Sequence, residues 1–448
     1  MTGALLDALL FAGGYNATVV ALGCAAFGLA AGSLGCFVLL RGRALIADAA
    51  AHATLPGVAG AFILAALAGW DARSLPLLLA GGAISAGAAV LAVGALTRGG
   101  RIRDDAAMAL VLSIGFGLGV VLVSVVQSLP VGGQAGLKSF ILGQAAGMSA
   151  FDARLIGGLA VLSLLLVALL FRPLAALCFD RDFAASVGLP VRALDLALLG
   201  LMLAVTVAGL RAVGLILVVG LMVIPAVTAR LVTERLGVMV ALAGVLGAAA
   251  AWLGAGLSAA APNLPTGATI VLVACAMFVL ALVVAPRRGV LAFAWRQLRL
   301  SLVVARDHAL RAAFEAAERQ PAAGAIGWPD LGRGAGWSAW QRAVLPRWLR
   351  WAGLVAERPE GGVALTPAGL AMARELTRRH RLWEHYMQSA GGLPPEAAHR
   401  AADQVEHTLP PEVAMEAEAW LRRHDPARLP PAGGLIRPGE PETERGPR

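Results

Sequence analysis

Lysine is almost absent from this 448-residue chain: of its 37 lysines and arginines, only Lys138 is a lysine. A phosphate-cradling loop of the form Gly-x-x-x-x-Gly-Lys-Ser/Thr therefore cannot be written anywhere, and the chain holds no P-loop. If the chain takes part in ATP-driven transport, the hydrolysis is expected on a separate chain. Cysteine is scarce as well. Cys24, Cys36, Cys178 and Cys275 lie in or beside apolar segments without a Cys-x-x-Cys pair, which argues against a zinc knuckle or a disulfide framework and for small hydrophobes. The opening residues MTGALLDALL carry no basic n-region and no cleavage site, so no removable signal peptide is expected and the first span serves as its own insertion signal. Charged residues make up only 15% of the chain, too few to cover an ordinary soluble surface.

What the chain has instead is apolar bulk. It is 58% hydrophobic with a mean hydropathy of +0.74, and only a bilayer suits that composition. Apolar runs fall near 17–40, 44–69, 74–97, 105–129, 154–171, 193–210, 212–232, 237–258 and 266–285, each of the order of the ~20 residues needed to cross hydrocarbon. Arginine groups (Arg41/Arg43, Arg98/Arg101/Arg103, Arg172/Arg181/Arg192, Arg230/Arg235, Arg287/Arg288) follow every second crossing. By the positive-inside rule the N-terminus lies outside and the tail in the cytoplasm. That parity asks for an odd number of spans; nine fits and eight is the fallback, because only Arg211 separates the runs at 193–210 and 212–232. The same arginines account for much of the pI of 10.7 without nucleic acid. Pro225, inside a late span, is expected to kink its helix.

One span stands out chemically. RGRALIADAAAHATLPGVAGAFIL places Asp48 and His52 four residues apart, on one helix face and about 6 Å apart along the axis. Ionisable groups at such depth usually line a polar pathway, and carboxylate oxygen with imidazole nitrogen suits Mn2+, Zn2+ or Fe2+. The residues alone also allow a structural reading, in which Asp48 caps or pairs and His52 bonds a carbonyl.

The segment resembles the signature of the ABC-3 family of metal-importer permeases, in which Asp and His, separated by small residues, follow a basic cytoplasmic turn. CFDRDFAASVGLP at 178–190 looks like that family's coupling segment, a short cytoplasmic helix that seats in the ATPase. GLILVVGLMVIPAVTARLVT at 214–233 looks like its proline-containing late span. The resemblance runs over about 15–286. It implies that Asp48 and His52 contact the ion, that Phe179, Asp180, Arg181, Asp182, Phe183 and Gly188 belong to the docking segment, and that the chain sits in a bacterial inner membrane. The implied partners are a cytoplasmic ABC ATPase, an extracytoplasmic metal-binding protein, membrane lipids and a second permease chain, identical or not. From its own residues, the segment offers Phe179 and Phe183 at i, i+4 on one face with a charged rim, a surface suited to a partner's groove or to the membrane surface.

After Pro286 the pattern changes. Residues 1–288 form the membrane domain, 289–336 a helical connector and a Gly/Pro/Ala-rich loop, 337–374 a winged-helix-like region, 375–424 two or three small helices, and 425–448 a disordered tail. His399, Asp403, Glu406 and His407 fall within about a 100° arc of one helix, and the preceding helix offers His380 and Glu384. Spacing allows either a metal cluster or a solvated stripe. RHRLWE followed by HxxxDxxEH resembles the metal-binding and dimerisation domain of the iron-dependent repressor family. That likeness implies one site from His380, Glu384 and His399 and another from Asp403, Glu406 and His407. It also implies a further ligand from an upstream helix, with Asp307 and Glu315 as candidates. A hard oxygen donor at Asp403 leans toward Mn2+. Pro346 should break the recognition helix, and Trp340, Trp348 and Trp351 suit protein contact better than base edges, so DNA binding is disfavoured despite Arg342, Arg347 and Arg350.

The expected architecture is thus an all-α polytopic membrane domain of eight or nine helices, followed by a cytoplasmic winged helix and a small helical domain. The expected function is import of a divalent transition metal, Mn2+ favoured, with a tail that dimerises and senses metal. A membrane-tethered metal-dependent transcription regulator is the alternative. Another is a permease for a larger metal chelate, which would need no ligands for a bare ion.

Overall fold

The computed structural model describes residues 14–71, 74–97, 102–128, 147–261, 264–319, 326–359, 362–405 and 410–431. Two compact units result, Met1–Phe293 and Ala294–Arg448.

The first unit is helical throughout its described residues. Its elements are α1 (Tyr15–Leu40), α2 (Ala44–Leu67), α3 (Leu75–Thr97), α4 (Asp104–Ser128), α5 (Ala150–Leu169), α6 (Phe171–Phe179), α7 (Arg181–Ser186), α8 (Val191–Val213), α9 (Leu215–Val232), α10 (Leu236–Ala260) and α11 (Thr266–Val284). Eight of these, α1 to α5, α8, α10 and α11, are long and apolar enough to cross a bilayer. The ninth apolar run is α9, at 18 residues about 27 Å long at the helical rise, just short of the ~30 Å of hydrocarbon. It is set off from α8 at Gly214, whose φ of 84° is open to glycine and strained for other residues. Pro225 stays within α9.

In lipid there is no hydrophobic drive for helices to associate, so close packing of small residues takes over. α1 and α10 show this most clearly. A Cβ on Gly28 would strike the Gly247 carbonyl, one on Gly247 would strike that of Gly28, and Gly32 meets the Ala243 carbonyl in the same way. Farther along α1, Gly35 lies against the Met222 carbonyl of α9. A second set packs α2 between α3 and α4. Gly57 and Gly81 abut backbone to backbone, Ser85 Oγ donates to the Ala53 carbonyl at 2.7 Å, and Gly115 and Gly119 lie against Ala53 and Leu55. Leu64, Ile84, Ile114, Leu165, Leu272 and Leu280 remain exposed, as lipid-facing side chains are.

The second unit contains α12 (Val290–Arg319), α13 (Trp328–Gly334), α14 (Ala339–Trp351), β1 (Val355–Glu357), β2 (Val363–Leu365), α15 (Pro367–Ser389), α16 (Pro395–Val405), α17 (Pro411–His424) and a 3-10 turn at Pro426–Arg428. The strands pair antiparallel, Val355 opposite Leu365, and Ile326 forms a bridge to Val363. Thr366 starts α15 by accepting from the Gly369 amide at 3.0 Å, the usual service of threonine at an N-cap.

Four expectations change. The stretch 289–336 is not a bare connector, because Ala305, Ala309, Leu310 and Phe314 of α12 join Leu331, Trp337, Leu345 and Leu349 in one core. Within the predicted loop, α13 forms with Pro329 in its first turn, where a missing amide costs nothing, and Leu331 buries. Pro346 does not break α14. It removes one backbone bond, while Leu345 and Leu349, both buried on the core side, hold the helix on either side of it. The chain also stays ordered past residue 425: Ser389 Oγ donates to Asp425 at 2.8 Å, and Arg428 reaches Gln388 at 3.2 Å. The expected disorder of 432–448 lies outside the described residues.

Candidate metal sites and the coupling segment

The α2 site is built by helical geometry. Asp48 Oδ1 and His52 Nε2 are 3.5 Å apart across one turn, and both side chains are partly exposed. Phe116 of α4 meets the imidazole edge to face, with centroids 5.3 Å apart. Nδ1 of His52 is buried with no hydrogen-bond partner. Among the described residues Nδ1 makes no carbonyl bond, while the Asp48–His52 approach itself leaves a structural pair open. A carboxylate and an imidazole nitrogen converge here, a donor pair that fits a borderline divalent ion.

The tail cluster brings together His380 and Glu384 of α15 and His399 of α16, with ligand atoms all within 4.8 Å of one another. His380 is buried. Its Nε2 is 3.0 Å from His399 Nδ1, and Glu384 lies 3.8 Å from each ring. Asp403 lies beside the same cluster. Its Oδ1 is 2.7 Å from Arg311 of α12 and 3.5 Å from His380 Nδ1, and Oδ2 is 3.9 Å from His399. Glu406 and His407 lie outside the described residues. Neither upstream candidate faces the cluster as a free donor: Asp307 pairs with Arg306 at 2.7 Å, and Glu315 with Arg311 and Arg319. Arg311 was missed because charge and spacing along α12 do not reveal what it meets on other helices.

The segment 178–190, the candidate coupling segment, is bent rather than continuous. α6 ends at Phe179, and Asp180 is extended at φ −151° while capping α7 through the Asp182 and Phe183 amides at 2.9 and 3.0 Å. Phe179 and Phe183 therefore do not share one helix, yet both are exposed, Phe179 at 94%. Gly188 closes the turn at φ 82°. Behind it lies a charge cluster that sequence reading passed over. Asp195 of α8, nearly buried, meets Arg41 at 3.1 Å, Arg43 at 3.5 Å and Arg181 at 3.7 Å, and Arg41 also donates to the Leu177 carbonyl at 3.1 Å. Burial lowers the pKa of Arg43, an effect Asp195 opposes. Burial also pushes the nearby Cys178 thiol up to about 11, so it stays protonated and inert at neutral pH.

The sequence profile of the ABC 3 transport family matches residues 15–285, more than half of the chain. The chain belongs to that family. As a member it is the membrane permease of an ABC transporter complex, a multi-pass protein that is not itself the ATPase. A second profile, the metal-binding and dimerisation domain of iron-dependent repressors, matches 366–425 and so spans the whole tail cluster. The chain is 37% identical over 304 residues to the manganese transport system membrane protein MntC of Bacillus subtilis, covering 68% of this chain and 69% of that one. It is 38% identical over 289 residues to the zinc transport system membrane protein TroC of Treponema pallidum, covering 64% and 95%. Among solved structures it resembles PsaBC from Streptococcus pneumoniae in complex with Fab, with TM-score 0.54 and 29% identity over 64% of this chain and 98% of that one.

Proposed function

We propose that this permease imports Mn2+ or Zn2+, with Fe2+ as a further cargo of the same donor chemistry, and that Asp48 and His52 receive the ion. The observation that carries the reading is the convergence of His52 Nε2 and Asp48 Oδ1, 3.5 Å apart on one face of α2 with both side chains partly exposed. Family membership and the printed cargoes of the MntC and TroC relatives support it. The ion would pass between helix groups by alternating access, with a cytoplasmic ATPase seated on Phe179 and Phe183, an extracytoplasmic binding protein delivering cargo, and a second permease chain completing the pathway. The tail, cytoplasmic in the orientation that the arginine pattern favours in a bacterial inner membrane, would bind metal through His380, Glu384 and His399 and report it.

The test is uptake of radiolabelled Mn2+ and Zn2+ by cells carrying Asp48→Ala or His52→Ala. Losing even an outer-shell partner of a ligand costs about 10–100-fold in affinity, so each variant is expected to lower uptake at limiting metal by at least about tenfold. Uptake spared by Asp48→Ala would reject a bare-ion site and favour a chelate as cargo.

The order helix, bridge, two helices and hairpin from α12 to β2 supports a winged-helix reading and keeps the regulator alternative in view. Against it, Arg350 is tied to Glu357 at 2.6 Å, and α14 exposes Trp340, Val344 and Trp351. Such a face suits protein better than the phosphates that dominate DNA affinity.

A further inference from the structure

The tail cluster already contains a cation, and it belongs to the protein. Arg311 projects from α12 with only 12% of its side chain exposed. Nη1 lies 2.6 Å from His380 Nδ1, Nη2 lies 2.7 Å from Asp403 Oδ1, and Nε lies 3.7 Å from Glu315. One guanidinium thus joins α12 to both α15 and α16.

The chemistry of that contact constrains His380. A guanidinium has five N–H donors and no acceptor, so His380 Nδ1 must accept, and it carries no proton. Nε2 of His380 lies 3.0 Å from His399 Nδ1. Those two nitrogens are the ones that face Glu384 and would have to offer lone pairs to a metal. A metal-ligating histidine ordinarily keeps its proton on the other ring nitrogen and donates it to a carboxylate or carbonyl. With Arg311 in place, that nitrogen faces an N–H instead. A carboxylate to receive the proton is nevertheless at hand, since Asp403 Oδ1 stands 3.5 Å from Nδ1.

We propose that Arg311 is a tethered cation that closes the His380–Glu384–His399 site, and that a divalent metal binds there only by displacing it. With the guanidinium displaced, Asp403 Oδ1 would stand as the acceptor for an Nδ1–H of His380, leaving Nε2 to face a metal. The guanidinium falls back on Glu315, one turn along its own helix. Metal occupancy is thereby converted into loss of the tie between α12 and the α15–α16 pair, a mechanical signal inside the tail. The inference rests on the reading of this cluster as a metal site.

The experiment uses the full chain in lipid nanodiscs with Asp48→Ala and His52→Ala, which removes the membrane site, titrated with Zn2+ and Mn2+ by calorimetry and followed by thermal unfolding. Arg311→Gln and Arg311→Met are compared with Arg311→Lys, which keeps the charge without the fork, and with His399→Ala. If the closed form holds about nine molecules in ten, removing the guanidinium tightens apparent affinity about tenfold. The Gln and Met variants should also unfold at lower temperature without metal and gain more from adding it, with the Lys variant intermediate in affinity. Unchanged or weaker affinity in the Arg311 variants, with binding abolished by His399→Ala, overturns the role of Arg311 and leaves the metal site standing. Binding undiminished by His399→Ala overturns the site, and this inference with it.

Discussion

Asp195 and Asp48 are both carboxylates in largely apolar helices, yet their surroundings give them different work. Asp195 is met by three arginines, two from the turn after α1 and one from α7, so its charge is spent on holding the coupling segment to the helices behind it. Asp48 meets one base among the described residues, His52, which fits the proposed role in receiving an ion. Replacing Asp195 by Asn leaves partly buried guanidinium groups without their carboxylate, a change that costs about 3–5 kcal/mol when a buried pair is broken. The expected result is a fall in unfolding temperature of the detergent-purified permease together with weaker co-purification of the ATPase, while metal binding at α2 persists. The α2 pair was legible in the sequence because four residues on a helix bring two side chains together wherever that helix goes. The Arg311–His380 contact spans 69 positions and the Arg41–Asp195 contact 154; no local pattern encodes either.

At the scale of elements, glycine decides which helices can touch. Gly28 and Gly247 each occupy space a side chain would need, so Gly28→Val or Gly247→Val should force α1 and α10 apart, at about 1–3 kcal/mol for overpacking. Gly157→Val, where an added Cβ meets nothing, is the control. The first two should lower the yield of monodisperse permease on size-exclusion chromatography and the third should not. The exposed Phe179 and Phe183 are separated by the Asp180 break, which gives the proposed docking surface two independently angled aromatic groups. Phe179→Ala with Phe183→Ala should abolish co-purification with the ATPase while leaving thermal stability unchanged, because neither ring is buried in the permease. Helix periodicity indicated most of these elements well. It failed at α13 and at Pro346, where burial of Leu331, Leu345 and Leu349 outweighs the local preference against helix.

At the scale of the whole molecule, two units with different solvents share one chain, and the second begins within α12 rather than after it. A chain ended after Arg288 keeps every membrane helix and loses the tail cluster. It is expected to transport with wild-type affinity for external metal but to lose any decline of uptake as internal metal accumulates, measured as initial rates in metal-loaded cells. Uptake that still declines in the shortened chain would remove the tail from regulation. Composition and periodicity alone determined that this protein lives in a bilayer, where its apolar helices lie, that Asp48 and His52 share one face of α2, and that a histidine-bearing helical tail follows. Those features are properties of a single helix or of average solvent preference, and sequence records them directly. Only the tertiary structure decided that Asp403 turns to Arg311, that Asp195 gathers three arginines, and that glycines let α1 and α10 touch. Those pairings depend on which helix faces meet, and each is set by packing between segments far apart in the chain.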